Sequence, residues 1–382
     1  MLRGWILTLY QNLMKKLRFW QGGALNLNQA LRAPKQLNLR KLGDAGGFKV
    51  RGCLTSPKAY FSLGFGILIL VLVGCAGKSN YAQWMQSSGK IKVLSTTAMI
   101  DDVVRQVGGE YVDGITLIKG ELDPHSYQLV KGDDEKLMYA DIIFYNGLSL
   151  EHGPSLQKAL EENPKAVGLG NKIQAQNPEL ILSYKGQIDP HIWMDVSMWA
   201  RTVPYIVETL SQKEPAHAEV FQRNGEILLQ KMKELHQVIR DEMHNIPASQ
   251  RFLVSSHDAF NYFTRAYLAE ESELKDHTWQ KRFAAPEGLA PESQLSTADI
   301  QAIIDFVQLH DIHMLFPESN VSKDSIRKIV AAGKDKGIYL KIADEFLYAD
   351  AIGAPGSDGD SYLKMIDHNG RVIAKFLRQN YP

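Results

Sequence analysis

The sequence predicts an α/β protein with two lobes, each a mainly parallel sheet flanked by helices, joined by a long rigid spine helix. Three observations lead there. Strand-like and helix-like segments alternate in the first half, and the alternation resumes in the second. Between them lies one uninterrupted stretch of helical periodicity, residues 216–245. The length, 382 residues, is enough to bury two modest cores.

The elements follow in order. Residues 91–97 read as a strand. Residues 98–107 have helical apolar spacing and stop at Gly108-Gly109. Strands are expected over 111–118 and 141–145, with short ones near 166–169 and 180–184; helices are expected over 133–139 and 155–162. Residues 197–210 are helical in pattern, but Pro204 should end or kink them. The spine follows, with Val220, Ile227, Leu228, Met232, Leu235, Val238, Ile239 and Met243 at helical spacing, and Pro247 ends it. Strands are then expected over 251–255, 312–316 and 338–342. Helices are expected over 258–268, over 298–309 capped by Ser296 or Thr297, over 323–332 capped by Ser322, and over 362–377, where Asn369-Gly370 should weaken the helix locally. The predicted lobes are residues 90–213 and 247–382, with the spine over 214–246. A cleft between such lobes, at the C-terminal ends of parallel strands, is where ligands bind.

Charge and cysteine usage separate the first part of the chain from the rest. Residues 1–58 carry eleven Lys/Arg against one acid, Asp44, leaving 32 basic and 42 acidic residues beyond them. This acidic body lacks the basic stripe that nucleic-acid binding needs. The two cysteines are Cys53 and Cys75, so no disulfide braces the body and no thiolate serves it as ligand or nucleophile. Lys49, Arg51 and Lys58 precede an apolar run of 13 residues, 61–73. That is short of the roughly 20 a spanning helix requires and within the range of about 7–15 for a signal-peptide core. Leu72-Val-Gly-Cys75 resembles a bacterial lipobox, which implies acylation of Cys75, a membrane anchor there and a new N-terminus. Residues 1–74 are then a leader and residues 75–89 a mostly polar tether. The first 50 residues exceed an ordinary signal n-region, which suggests a later start near Val50; alternatively residues 5–20 form an interfacial membrane helix.

Of eleven histidines, three have a distinctive context. His125 follows Asp123-Pro124 after the 111–118 strand, His191 follows Asp189-Pro190 after a strand-like run, and His257 sits where the 251–255 strand meets a helix. Proline fixes its own φ and restricts the residue before it, which helps to hold an imidazole in one orientation. Neutral imidazole is the commonest protein metal ligand. The wide separation of the three means that the fold, not one helix, must assemble any site. His217, His236 and His244 read as members of a solvated helix face, and His277, His310 and His313 have no organised surroundings.

Five motifs in sequence then make a resemblance specific: Thr96-Thr-Ala-Met-Ile-Asp101, Gly120-Glu-Leu-Asp-Pro-His-Ser-Tyr127, Ala140-Asp-Ile-Ile-Phe-Tyr-Asn-Gly-Leu-Ser-Leu-Glu151, Asp189-Pro-His-Ile-Trp-Met-Asp195 and His257-Asp-Ala-Phe-Asn-Tyr-Phe263. From Lys90 onward the chain resembles the cluster A-I solute-binding proteins of zinc, manganese or iron ABC importers, and most of all their TroA-like subtype. The resemblance implies metal ligands at His125, His191 and His257. Its fourth ligand is an Asp in a segment matched here by Leu347-Tyr-Ala-Asp350-Ala-Ile352, with Asp344 as rival. Glu287 and Glu292, in a segment that also fits the subtype, receive no ligand role. Glu318, at a strand end, either lines the cleft or is structural.

What the resemblance implies is capture of a divalent cation, Zn²⁺ or Mn²⁺ with Fe²⁺ as a third candidate, and its delivery to an ABC permease with a cytoplasmic ATPase. The protein is then a periplasmic or extracytoplasmic lipoprotein and a monomer, and not an enzyme. Three imidazoles and a carboxylate suit zinc, and suit manganese or iron if the carboxylate binds through both oxygens. The His-rich loop common in dedicated zinc members is missing, since His152 alone lies between His125 and His191; the Glu common at the third position of manganese members is His257 here. The competing readings are a zinc hydrolase, which would need an open coordination position and a nearby base, and a surface adhesin.

Overall fold

In the computed structural model the described residues are 84–379, except Ser87, Lys185 and residues 291–294. Cys75, the lipobox, the leader and the 5–20 segment lie outside them, as does Glu292. The last residues of the expected tether are not free chain. Trp84 is buried beneath Leu94, Leu117 and Ile118, and its indole N–H donates to the Asp113 carbonyl at 2.8 Å.

The first sheet is parallel throughout, in the order β2-β1-β3-β4, with β1 Ile91–Ser95, β2 Val112–Thr116, β3 Ile142–Tyr145 and β4 Ala166–Gly168. Side chains alternate across it. Ile91, Val93, Ile142 and Phe144 enter one core, while Leu94 and Ile143 enter another on the opposite face. A parallel sheet needs both faces covered. The crossovers supply that cover as α1 Ala98–Gly108, α2 Asp133–Tyr139, α3 Pro154–Glu161 and α4 Leu169–Gln176. Helix α1 ends where expected: Gly109 takes φ 54°, and a Cβ on Gly108 would lie 2.2 Å from Val112 Cγ2.

The stretch around Pro204 is broken as its chemistry requires. A short helix, Val196–Trp199, passes through a 3-10 turn, Ala200–Thr202, before α5 Val203–Lys213 begins with proline in its first turn. The spine is α6 Ala218–His244, whose 27 residues span about 40 Å. It buries Phe221, Gly225, Leu228, Met232, Ile239 and Met243 on one stripe. Its first half holds α1, where Asn224 Nδ2 donates to the Val107 carbonyl at 3.0 Å. Its second half packs on the last helix at Gly370, where a Cβ would come within 3.2 Å of Ile239.

Beyond the spine the strands are much shorter than the 251–255, 312–316 and 338–342 segments suggested. An exposed antiparallel hairpin, β5 Ser183–Tyr184 with β6 Gln187–Ile188, precedes the spine. After it, β7 Leu253–Val254 pairs in parallel with β8 Phe283–Ala284, and β9 Met314–Leu315 with β10 Lys341–Ile342. One bond, Phe316 N–H to the Val254 carbonyl at 2.9 Å, joins the two pairs. The ladders stop early because the chain turns away at Ser255 to wrap a buried carboxylate. The longer helices are α7 Thr297–Leu309, capped by Ser296 and Asp299 in a reciprocal capping box, α8 Asp324–Asp335 and α9 Tyr362–Leu377. The helix expected over 258–268 reduces to one turn, Asn261–Phe263, followed by a π turn, Thr264–Leu268. The wider turn leaves Tyr262, Phe263 and Tyr267 all buried.

Candidate metal centre

His125, His191, His257 and Asp350 converge at the C-terminal ends of the strands, and each offers a ligand atom within 4.8 Å of the others. All four are buried, none more than 3% exposed. The imidazoles meet through Nε2. His125 Nε2 lies 3.3 Å from His191 Nε2, His191 Nε2 lies 3.5 Å from Asp350 Oδ1, and His257 Nε2 lies 3.3 Å from Asp350 Oδ2. These three contacts have the edge length of a tetrahedron whose centre is roughly 2.0–2.1 Å from each vertex, the length of a zinc–nitrogen bond, and the other separations stay within 4.8 Å. His257 Nε2 and Asp350 Oδ1 have no hydrogen-bond partner although both are buried, a costly state unless something else satisfies them. The donor set and its spacing fit a divalent cation.

The two Asp-Pro-His triplets look alike in sequence and do different work. At the second, Asp189 Oδ1 accepts both from the His191 amide at 2.9 Å and from its Nδ1 at 2.7 Å, fixing the ring with Nε2 facing inward. Asn261 Nδ2 holds the other oxygen of Asp189 at 3.0 Å. At the first, Asp123 accepts from the amides of His125 and Ser126 and from the Ser126 hydroxyl, closing a local turn without touching the ring. His125 stands in the long irregular segment between β2 and α2 and has no carboxylate behind its ring among the described residues.

Glu318 performs for His257 what Asp189 performs for His191. One oxygen accepts from the Ser256 and His257 amides at 2.9 and 3.0 Å, and the other pairs with His257 Nδ1. This is the buried carboxylate that shortens β7. Asp350 is held by its neighbours: Asn320 Nδ2 donates to Oδ2 at 3.1 Å, Asn369 clamps the Tyr348 backbone, and the Ala349 carbonyl accepts from Trp193 Nε1. Asp344 is exposed and outside the cluster. Glu287 is buried against the Ser325 hydroxyl, also outside it.

The electrostatics suit a cation. Burial pushes His125 well below the ordinary imidazole value, so it stays a neutral donor. Burial opposes charge on His257 too, but the Glu318 and Asp350 carboxylates outweigh it and hold that ring well above its ordinary value. Burial opposes ionisation of Asp350, yet the surrounding imidazoles, His257 first, keep it below the carboxylate range. Asp258 is pushed up to about 6 by burial and by Asp189, and accepts from Asn261 at the start of its helix turn instead of entering the cluster.

Four of the remaining histidines are more organised than their sequence context suggested, whereas His244 and His277 are exposed. His236 is half-buried with Nδ1 3.0 Å from the Tyr267 hydroxyl, so it is not on a solvated face, and His217 stacks on Tyr111. His310 stacks on Phe252, and His313 contacts the Tyr339 carbonyl. None belongs to the cluster.

Residues 93–376 match the ZnuA family, described as the periplasmic component A of the zinc-uptake complex. The chain belongs to this family. Among ZnuA-family relatives, it is 39% identical over 287 residues to the metal-binding protein YtgA of Chlamydia trachomatis, covering 75% of this chain and 86% of the relative. It is 32% identical to the manganese-binding lipoprotein MntA of Bacillus subtilis over 80% of this chain and 95% of that one. The Fe(III)-bound YtgA crystal structure superposes with a TM-score of 0.72 at 38% identity, covering 76% of this chain and 99% of that one. The periplasmic zinc-binding protein TroA of Treponema pallidum superposes with a TM-score of 0.69 at 29% identity, over 76% of this chain and all of that one. The expected ZnuA-family architecture, parallel sheets flanked by helices with a long helix between, is the one observed.

Proposed function

We propose that this ZnuA-family chain captures a divalent transition metal outside the cytoplasm and delivers it to an ABC import permease driven by a cytoplasmic ATPase. The observation that carries the proposal is the convergence of three buried imidazoles and one carboxylate whose ligand atoms lie within 4.8 Å of one another. His125, His191, His257 and Asp350 are the ligands. Asp189 and Glu318 set the tautomer and direction of two of them. The metal is cargo. Zn²⁺ fits four-coordination, and Mn²⁺ or iron fits if both Asp350 oxygens bind, as their separate approaches to His191 and His257 allow. Relatives named for manganese and zinc, and an iron-bound one, support that range.

Residues 90–213 form the first lobe and supply His125 and His191. Residues 214–246 form the spine, and residues 247–382 the second lobe, supplying His257 and Asp350. Ligands split in this way couple occupancy to lobe closure, a state that a permease can sense. Acylation of Cys75 anchors the protein, and it acts as a monomer. A hydrolase is disfavoured because Asp189, Asp258 and Glu318, the acids around the ring nitrogens, already hold Asn261 or histidine rings.

Calorimetry of the metal-stripped full chain with Zn²⁺ and Mn²⁺ tests the assignment. One ion per chain is expected, with affinity lowered by orders of magnitude in His125→Ala and His191→Ala. X-ray absorption should find three imidazole nitrogens and carboxylate oxygen with no bound water. Unchanged affinity in both variants, or a coordinated water, overturns the reading.

A further inference from the structure

His152 takes no part in the four-ligand cluster, yet its placement is not that of an ordinary surface histidine. Its ring centroid is 5.6 Å from that of His125. The three pairs within the cluster are 5.2, 5.3 and 6.4 Å apart, so His152 stands off from His125 as the proposed ligands stand off from one another. It is half-buried where His125 is 2% exposed, so its ring reaches both solvent and the buried imidazole. Its Nδ1 is 3.1 Å from the Ser149 carbonyl, an acceptor, which puts the proton on Nδ1 and leaves the Nε2 lone pair available.

The backbone that presents it is unusual. Gly147, Leu148 and Ser149 all have positive φ, 73°, 54° and 64°. Two consecutive non-glycine residues in that region are strained, and such strain persists where surrounding structure enforces it. Here Glu151 enforces it. Its buried carboxylate accepts from the Asn146 and Gly147 amides at 2.8 and 3.0 Å and from the Thr96 hydroxyl at 2.6 Å. The turn fixed by Glu151 thus carries His152 to the side of His125, the one cluster histidine with no carboxylate behind its ring among the described residues.

We propose that His152 is an outer metal ligand through which the cation enters and leaves, exchanging between His152 Nε2 and the four-ligand site at His125. This rests on the cluster's being the metal site. The step is ligand substitution. The neutral Nε2 of His152 bonds to the aquated ion and displaces one water. The Nε2 of His125 displaces another, and the His152–metal bond breaks as His191, His257 and Asp350 replace the rest. No electron is transferred and no proton passes between the imidazoles; the proton on His257 Nε2 leaves to water before that nitrogen bonds the ion. His152 changes the rates of loading and unloading and leaves the final coordination alone.

The test follows Co²⁺ binding to the metal-stripped full chain by its visible absorption, which reports coordination, in the native protein, His152→Ala and His152→Asn. Asparagine can still donate to the Ser149 carbonyl but offers no ring nitrogen. The expected result is that loading and chelator-driven release both slow about tenfold in both variants, with spectrum and equilibrium affinity unchanged. Unchanged rates in His152→Ala overturn the proposal, as does recovery of native rates by His152→Asn, which would mark a structural role. An altered spectrum with a large loss of affinity overturns it too, by making His152 a permanent ligand. If the native chain develops no Co²⁺ spectrum, the metal reading itself falls, and the relay with it.

Discussion

The indole nitrogen of Trp193 donates to the carbonyl of Ala349 at 2.8 Å, a buried bond between residues 156 positions apart. Trp193 lies two residues after His191, and Ala349 lies immediately before Asp350. The same Trp193 gives its own carbonyl to the Tyr362 hydroxyl at 2.9 Å, at the start of α9. The backbone supporting His191 is thus tied directly to the backbone supporting Asp350.

Trp193→Phe keeps most of the ring and removes the donor, leaving the Ala349 carbonyl buried without it. A loss of about 1–3 kcal/mol in stability is expected. Metal affinity should fall as well, because His191 and Asp350 lose their common strut. Denaturant unfolding and calorimetry on the same preparation check this. Affinity unchanged beside a clear loss of stability would mean that the bond holds the fold and not the ligands.

Glu318→Gln retains an oxygen for the Ser256 and His257 amides but loses the charge that pairs with the His257 ring. Metal affinity should drop about 10–100-fold, the usual effect of removing a carboxylate behind a metal-binding histidine. Asp189→Asn should act similarly through His191. Titration of each variant with Zn²⁺ against a competing chelator provides the measurement.

Metal binding should weaken as pH falls, beginning above the ordinary histidine range. The raised value of His257 means that its proton must leave before Nε2 can bind an ion. Below that raised value, apparent affinity should decline about tenfold per pH unit for the one proton displaced. The metal-free protein responds with the opposite sign. The stability it draws from the charged His257 is fully present below the unfolded value near 6.5 and disappears as pH rises through the folded one. The gap in melting temperature between loaded and metal-free protein should therefore widen with pH, as parallel melts would record.

Asn369 is fully buried, and its amide both accepts from the Tyr348 N–H at 2.9 Å and donates to the Tyr348 carbonyl at 2.7 Å. Asn369→Ala orphans both groups, at a cost of about 1–3 kcal/mol for each unsatisfied group, and should displace Asp350 two residues on. Asp344→Ala, at an exposed position, should leave affinity and stability unchanged. A strong effect of Asp344→Ala on binding would reopen the choice of fourth ligand.

The parts of the protein legible in the sequence are those where local chemistry and tertiary packing agree. Helix α2 and helix α9 occupy the predicted residues, and the chain breaks around Pro204 for the reason proline always imposes. His125, His191 and His257 were visible through their positions at strand ends. Asp350 was visible only through family resemblance, since nothing in Leu347-Tyr-Ala-Asp350 distinguishes it from Asp344 without knowledge of burial. The supporting groups were harder. Asp189 and Asp123 occupy identical triplets, and only the fold decides which carboxylate turns back to its histidine ring. Asn369-Gly370 reads as a helix weakness, whereas the pair serves contact: the amide clamps Tyr348, and the missing side chain admits Ile239 of the spine. The strands after the spine were overestimated because apolar residues such as Phe252 and Ile312 resemble strand residues whether or not a neighbour pairs with them.

The brevity of those strands bears on how the two halves exchange with solvent. Four strands of three to five residues tie the first sheet together, whereas β7 to β10 are two residues each, joined across the middle, among the described residues, by the hydrogen bond from the Phe316 amide to the Val254 carbonyl. Backbone protons protected only by such short ladders open in small local events, at lower free energy than those of the first sheet. Deuterium should therefore enter the β7–β10 region of the metal-free protein well before it enters β1–β4. If His257 and Asp350 hold the ion as proposed, it joins the segments that follow β7 and β10, so loading should slow uptake there far more than in the first sheet, where the backbone network is already closed.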